Sequence, residues 1–292
     1  MPATEVAATD ATLENPPTVV VEPRSGWHFP SLGELWRYRD LVYFLGRRDI
    51  VIRYKQAAVG AFWAVLQPLL LAGLFAVFLG VIAKVASAPG VPYPLLAVTG
   101  LVLWVPFAKA IEFGTMSTVS YENLITKIYV PRVAVPITAL ASPVLDMLIG
   151  VGIAIVIAGG YGYFPSFRLL VIPLVVGLAM LIALGLALWS SALNVKYRDF
   201  ALGIPTLTMV GLFVTPITYP LDLVEQSINE KFQFLYSLNP MVGVIEAFRW
   251  ALLGSPLPDI QVLLMPVLCS VVLVITGAFY YERAQQSFAD VI

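Results

Sequence analysis

The chain has 292 residues, 59% of them hydrophobic and 12% charged, with a formal net charge of −1 and a mean hydropathy of +0.87. Globular domains carry roughly 25% charged residues, so an ordinary water-covered surface is excluded, and the near-neutral balance argues against a nucleic-acid partner. One cysteine, Cys269, and one histidine, His28, exclude an intrachain disulfide, a histidine-based zinc site and a histidine proton relay.

Residues 1 to about 23 are rich in Ala, Thr, Pro and Glu and nearly lack aromatics, which reads as a disordered tail. They lack the basic and apolar regions of a signal peptide, so the N-terminus is expected in the cytosol. From Ser31 the pattern changes. Ser31 and Glu34 have capping-box spacing, and Leu32, Leu35, Trp36, Val42 and Tyr43 fall near one helical face, as in a helix lying at the membrane interface. Gly46 and the run Arg47-Arg48-Asp49 predict a break, after which Arg53 and Lys55 lead into the first apolar run.

Several runs reach the ~20 residues needed to cross a bilayer core as a helix, and they lack the alternation of barrel strands. The fold class is therefore an all-α polytopic membrane protein. Six spans are predicted at about 61–84, 93–116, 133–160, 167–193, 200–219 and 260–281, the fifth interrupted by Pro205 and Pro216. Segment 221–259 is too apolar for a plain loop. Within it, Met241 to Gly254 reads as a helix of about four turns, too short to span and suited to a re-entrant or interfacial element. The domain plan is a cytosolic tail (1–30), an interface helix and lead-in (31–56), a transmembrane domain (57–282) and a second cytosolic tail (283–292). With both termini inside, all of the 17 Lys and Arg except Lys84, Lys109, Arg168, Lys231 and Arg249 fall on the cytosolic side, as the positive-inside rule requires.

Charges inside the spans are candidate functional groups, because each costs at least ~2.5–3.5 kcal/mol on insertion scales. Lys109 and Glu112 lie one turn apart in the second span. Asp146 lies about 20 Å into the third. Lys109 is placed to neutralise Glu112 or Asp146, as a structural clamp or as part of gating or substrate contact. Glu246 and Arg249 have the spacing of a pair on one helix face. Trp63, Trp104, Phe107, Phe213 and Tyr219 are either interfacial belt residues or the lining of a path whose ring faces contact sugars. No GxxxxGK[ST] phosphate loop, Ser-His-Asp set or paired glycosidase carboxylates occur. The chain is therefore expected to be a non-enzyme with no cofactor or metal of its own.

Between the second and third apolar runs lies a polar, aromatic stretch, Ser120-Tyr121-Glu122-Asn123-Leu124-Ile125-Thr126-Lys127-Ile128-Tyr129-Val130-Pro131-Arg132. Its residues 123–132, together with Glu34-Leu35-Trp36-Arg37-Tyr38-Arg39-Asp40-Leu41, Arg48-Asp49-Ile50, Arg53-Tyr54-Lys55-Gln56, Gly60 to Pro68, Asn194 to Asp199 and Leu238-Asn239-Pro240-Met241, carry a resemblance. The chain resembles the permease subunits of type-2 ABC exporters of bacterial polysaccharides, the Wzm-like O-antigen and teichoic acid permeases. The likeness runs from about Leu35 to Glu282.

That resemblance implies a homodimer of six-span subunits in the bacterial inner membrane, served by two separate ATP-binding (Wzt-like) subunits that hold ATP and Mg. It implies a polyprenyl-linked glycan as cargo, besides contact with membrane lipids. It also implies a coupling helix at about 120–132, with Tyr121, Glu122, Asn123, Leu124, Ile125, Lys127 and Arg132 as coupling residues. Lys109 departs from the family pattern. Export of a teichoic acid, of a small lipid or drug, and ion-coupled secondary transport are the alternatives.

Overall fold

A computed structural model describes residues 32–55, 62–85, 90–122, 131–164, 166–221, 223, 236 and 238–288. Among them every regular element is helical. In chain order these are α1 (Leu32–Arg37), α2 (Arg39–Lys55), α3 (Phe62–Phe75) with a π-helical continuation Ala76–Ile82, α4 (Tyr93–Ser120), α5 (Ala134–Ala139) and α6 (Ala141–Gly160). A 3-10 turn, Phe167–Val171, leads into α7 (Ile172–Lys196), followed by α8 (Phe200–Val214), α9 (Pro240–Leu253) and α10 (Ile260–Ala284). Five helical stretches are long and apolar enough to cross a membrane: Phe62–Ile82, Tyr93–Ser120, Ala134–Gly160, Phe167–Lys196 and Ile260–Ala284. The chain is thus an all-α, multi-pass membrane protein.

Two sequence expectations are corrected. The predicted break at Gly46 is absent, since α2 runs unbroken from Arg39 to Lys55. Gly46 instead lets α2 lie close to α6, because a Cβ there would meet the Ala141 side chain at 3.1 Å. The fifth span, predicted over 200–219, ends as a helix at Val214 after 15 residues. That is about 22 Å, short of the ~30 Å hydrocarbon core. Thr215 turns extended at φ −92°, ψ 143°, the conformation that the following Pro216 imposes on its neighbour. The third span is interrupted at Leu140 between α5 and α6, where Pro143 has no N–H to give the Ala139 carbonyl.

α4 is the hub. Of its most apolar window 78% is buried, against 11% for Phe62–Ile82 and 22% for α10, so α3 and α10 keep outward faces for lipid or another subunit. α7 packs between α4 and α10. Its seam with α4 is polar and close: Thr115 and Ser190 share a hydrogen bond of 2.7 Å, as do Thr118 and Ser191. Asn194 donates to the Thr115 carbonyl at 3.2 Å. Helices in lipid gain little from burying apolar surface and associate through such small and hydroxyl residues.

The irregular stretch after α8 is tolerated because protein groups take up its carbonyls. Tyr93 donates to Thr218 O at 2.6 Å and Arg249 to Ile217 O at 2.8 Å, while Tyr219 in the stretch donates back to Phe213 O in the last turn of α8 at 2.7 Å. Unpaired backbone at membrane depth is otherwise prohibitive. Only glycine fits opposite it on α4: a Cβ at position 100 would lie 2.3 Å from Ile217 O. The helix expected from Met241 to Gly254 is α9, started by the Asn239 side chain accepting from Met241 N–H at 3.1 Å. It is ended by Gly254 at φ +72°.

Candidate functional site: the polar end of the bundle and its buried charges

α2, the end of α4, the start of α5 and the end of α10 meet at one end of the bundle. Of the coupling residues expected from the resemblance, Asn123, Leu124, Ile125 and Lys127 lie outside the described residues. Tyr121, Glu122 and Arg132 stand at the two ends of that segment.

Tyr121 caps α4, and its hydroxyl donates to the Asp49 carboxylate on α2. The Arg48 guanidinium lies 4.8 Å from the centre of the Tyr121 ring and 3.2 Å from the other Asp49 oxygen. Burial, with the bond to Asp49 adding to it, pushes the Tyr121 hydroxyl well above the usual tyrosine range. It therefore remains a donor at any physiological pH. Glu122 is exposed. At the far end, Arg132 donates to the Gln285 carbonyl just beyond α10, and its own carbonyl accepts from Tyr281 at 3.1 Å. Tyr281 also shares a 2.8 Å hydrogen bond with Thr118 of α4. Segment 121–132 is thus tied to α2 at one end and to α10 at the other. Sequence reasoning missed both ties, since Asp49 read as part of a break and Gln285 as tail.

The intramembrane charges pair differently from the expectation. Asp146, 4% exposed at its side chain, is bound by Arg53 of α2 at 2.8 Å and accepts from the Tyr54 hydroxyl. Arg53 also donates to Ser142 at 2.9 Å and faces the Phe113 ring at 5.2 Å. Burial, reinforced by the bond to Asp146, raises the Tyr54 hydroxyl well above its ordinary value. Lys109 pairs with neither expected carboxylate. It donates to the Gln67 amide oxygen of α3 at 2.5 Å, while Glu112 accepts from Thr208 of α8 at 3.0 Å. The cause is competition: Arg53 reaches Asp146 from α2 with a fork suited to carboxylates, and Thr208 takes Glu112. The Glu246–Arg249 pair expected from spacing is present at 2.7 Å.

The five path aromatics are not brought together. Trp104 and Phe107, with ring centres 5.3 Å apart, line a cavity of about 820 Å³ between α4, α7, α8 and α10. Its other walls include Trp189, Leu193, Met265 and Val272, and its polar rim is little more than Ser190, Thr208 and Asn239. Sugar hydroxyls entering it would exchange water for hydrocarbon at a cost, whereas a hydrocarbon chain would not. Trp63 and Phe213 are instead exposed outside this cavity, at 54% and 57%. Tyr219 is tied to Tyr236 at 2.9 Å. Among the described residues no group of His, Cys, Asp and Glu has the arrangement of a metal site.

A family model described as ABC-2 type transporter matches residues 40–253. The chain is 25% identical over 259 residues to the O-antigen export system permease protein RfbA of Myxococcus xanthus, covering 89% of this chain and 98% of the relative. Two proteins of the same description from Klebsiella pneumoniae are 25% and 26% identical over 264 residues, each covering 90% of this chain and 97% of the relative.

Proposed function

The chain belongs to the ABC-2 type transporter family, as a transporter subunit that works with an ATP-binding subunit. From that premise we propose that it is the channel-forming permease of an exporter moving lipid-linked, O-antigen-like polysaccharide across the bacterial inner membrane. The observation that carries this reading is near end-to-end similarity to three proteins described as O-antigen export permeases. In this reading two copies of the chain pair, and two separate subunits bind ATP and Mg and hydrolyse the nucleotide. Both termini face the cytosol. The test is to purify the complete transporter with its ATPase and analyse the bound lipid. Recovery of a polyprenyl-linked glycan, and its accumulation in cells lacking this chain, is expected. Recovery of a teichoic acid or of a small lipid would move the cargo to that class. Transport by an ion gradient without any ATPase would overturn the reading.

The ties of segment 121–132 support a route for the work. Closure of the ATPase pair displaces the segment, and the displacement reaches α2 through Tyr121–Asp49 and α10 through Arg132–Gln285. Such coupling requires contacts that differ between two states. Tyr121→Phe removes the hydroxyl donor but keeps the ring under Arg48. A hydrogen bond to a charged group contributes about 1.5–3 kcal/mol, so export and substrate-stimulated ATP hydrolysis should fall several-fold while insertion and assembly persist. Unchanged export with unchanged stimulation would remove Tyr121 from the route.

A further inference from the structure

Lys109 is a span cation that forms no ion pair with a carboxylate among the described residues. Asp146 is taken by Arg53, and Glu112 turns to Thr208. The ammonium hydrogen-bonds to the neutral Gln67 amide, while Arg53 opposes the pull of Asp146 and Glu112. A cation in a span faces a bundle interior, a watery passage or an anionic partner. The first does not apply here, because Lys109 and Gln67 are both only half-buried. They open on the outward side of α3 and α4 rather than on the core. On α3 that side carries Trp63, one turn from Gln67, and Leu70, exposed at 54% and 58%. On α4 it carries Phe113 and Met116, exposed at 38% and 49%.

Depth narrows the partner. Gln67 lies five residues from the start of α3 at Phe62, and Lys109 eleven residues from the end of α4 at Ser120. These are about 8 and 16 Å along the helices, inside one leaflet at the end where Tyr121 sits. An anion arriving there must come below headgroup level with apolar groups on either side of it. A soluble phosphate would give up its hydration without any gain from those flanks. A phosphate carried on a hydrocarbon chain would gain from both.

We infer that Lys109, oriented by Gln67, binds the phosphate of the polyprenyl-linked substrate as that headgroup leaves the leaflet surface. This rests on the exporter reading above and names the residue pair that would read the anionic part of the cargo. Gln67 holds the ammonium in place without neutralising it. A carboxylate at the same position would close the site to anions.

The test uses the whole transporter, permease with ATPase, in nanodiscs, with a polyprenyl diphosphate, the matching polyprenol and inorganic diphosphate as probes. Wild-type protein is expected to bind the polyprenyl diphosphate at least tenfold more tightly than the polyprenol. Inorganic diphosphate should not displace it. Lys109→Gln should abolish the preference, a tenfold loss corresponding to about 1.4 kcal/mol, and Lys109→Arg should restore most of it. Gln67→Glu should abolish it as well, although the lysine remains, which no loss of folding at position 109 explains. If wild type binds the polyprenyl diphosphate and both Lys109→Gln and Gln67→Glu bind it equally well, the inference is wrong and the exporter reading stands. Displacement by inorganic diphosphate would make the pair a general anion site and overturn the lipid assignment. If wild type binds no polyprenyl lipid, the exporter reading fails, and this inference fails with it.

Discussion

Replacing Arg249 by alanine should destabilise the protein more than any other single change on α9. The side chain is 3% exposed and serves four acceptors: Glu246 at 2.7 Å, Ile217 O at 2.8 Å, Leu96 O at 3.3 Å and Thr99 Oγ1 at 3.4 Å. Its loss strands a carboxylate that is only 15% exposed and frees the Ile217 carbonyl of the irregular stretch after α8 and the Leu96 carbonyl of α4. Breaking a buried ion pair costs about 3–5 kcal/mol, a large share of the roughly 5–15 kcal/mol that separates folded from unfolded chains. Unfolding of the detergent-solubilised protein, followed by tryptophan fluorescence, would read it. Arg249→Lys should recover less than half, because a point-like ammonium does not span acceptors on three elements as a guanidinium fork does. Arg249→Ala combined with Glu246→Gln should recover about 1–2 kcal/mol by removing the stranded charge, but not the rest. A loss below about 1 kcal/mol for the alanine variant would mean that the Ile217 and Leu96 carbonyls find other donors.

That result bears on why the fifth apolar run ends where it does. Pro216 breaks it and so exposes acceptors that hydrocarbon does not satisfy. Position 100 must then be glycine to admit the displaced chain, and positions 93, 219 and 249 must carry donors. The break and its repair come from three separate parts of the sequence: α4, the stretch 216–219 and α9. Pro216 itself was legible as an interruption. The repair was not, because nothing in the spacing of Tyr93, Gly100 and Arg249 says that they meet at one stretch of backbone.

The same division holds elsewhere. Apolar runs bounded by Pro and Gly fixed the long helices closely: the second was expected from Tyr93, and α4 begins there, between Pro92 and Pro94. Asn239, Pro240 and Gly254 marked α9 through local start and stop chemistry. Gly46 beside three charged residues carried the same punctuation, yet it is a contact with Ala141 inside a continuous helix. A glycine chosen for close approach cannot be told from one chosen for a turn without its neighbour. Pairing among the charges was equally closed to the sequence. Local spacing proposes Glu112 for Lys109, but Arg53 binds Asp146 and Thr208 donates to Glu112, both from distant parts of the sequence, and Lys109 forms an ion pair with neither. What remains at Lys109 is a half-buried cation held by a neutral amide.

The second large effect is expected at Arg53 and Asp146, and it should be asymmetric. Arg53 is 26% exposed at its side chain, Asp146 only 4%. Arg53→Ala leaves a buried carboxylate with the Tyr54 hydroxyl as its remaining side-chain donor among the described residues, and should cost about 3 kcal/mol. Asp146→Ala leaves an arginine that keeps Ser142 and Phe113 and has a path to water, so about 1–2 kcal/mol is expected. Replacing both with apolar side chains, Arg53→Met with Asp146→Leu, should return stability to within about 1 kcal/mol of wild type, since neither charge is then stranded. Unfolding midpoints of the four proteins in the same detergent would give the order. Equal losses for the two single variants would show that water reaches Asp146. The double variant also separates stability from transmission. Restored stability with lost export would mean that α2 must be held to α6 by this polar pair, in this register, to pass on a displacement arriving through Tyr121. Restored export would leave the pair a structural clamp alone.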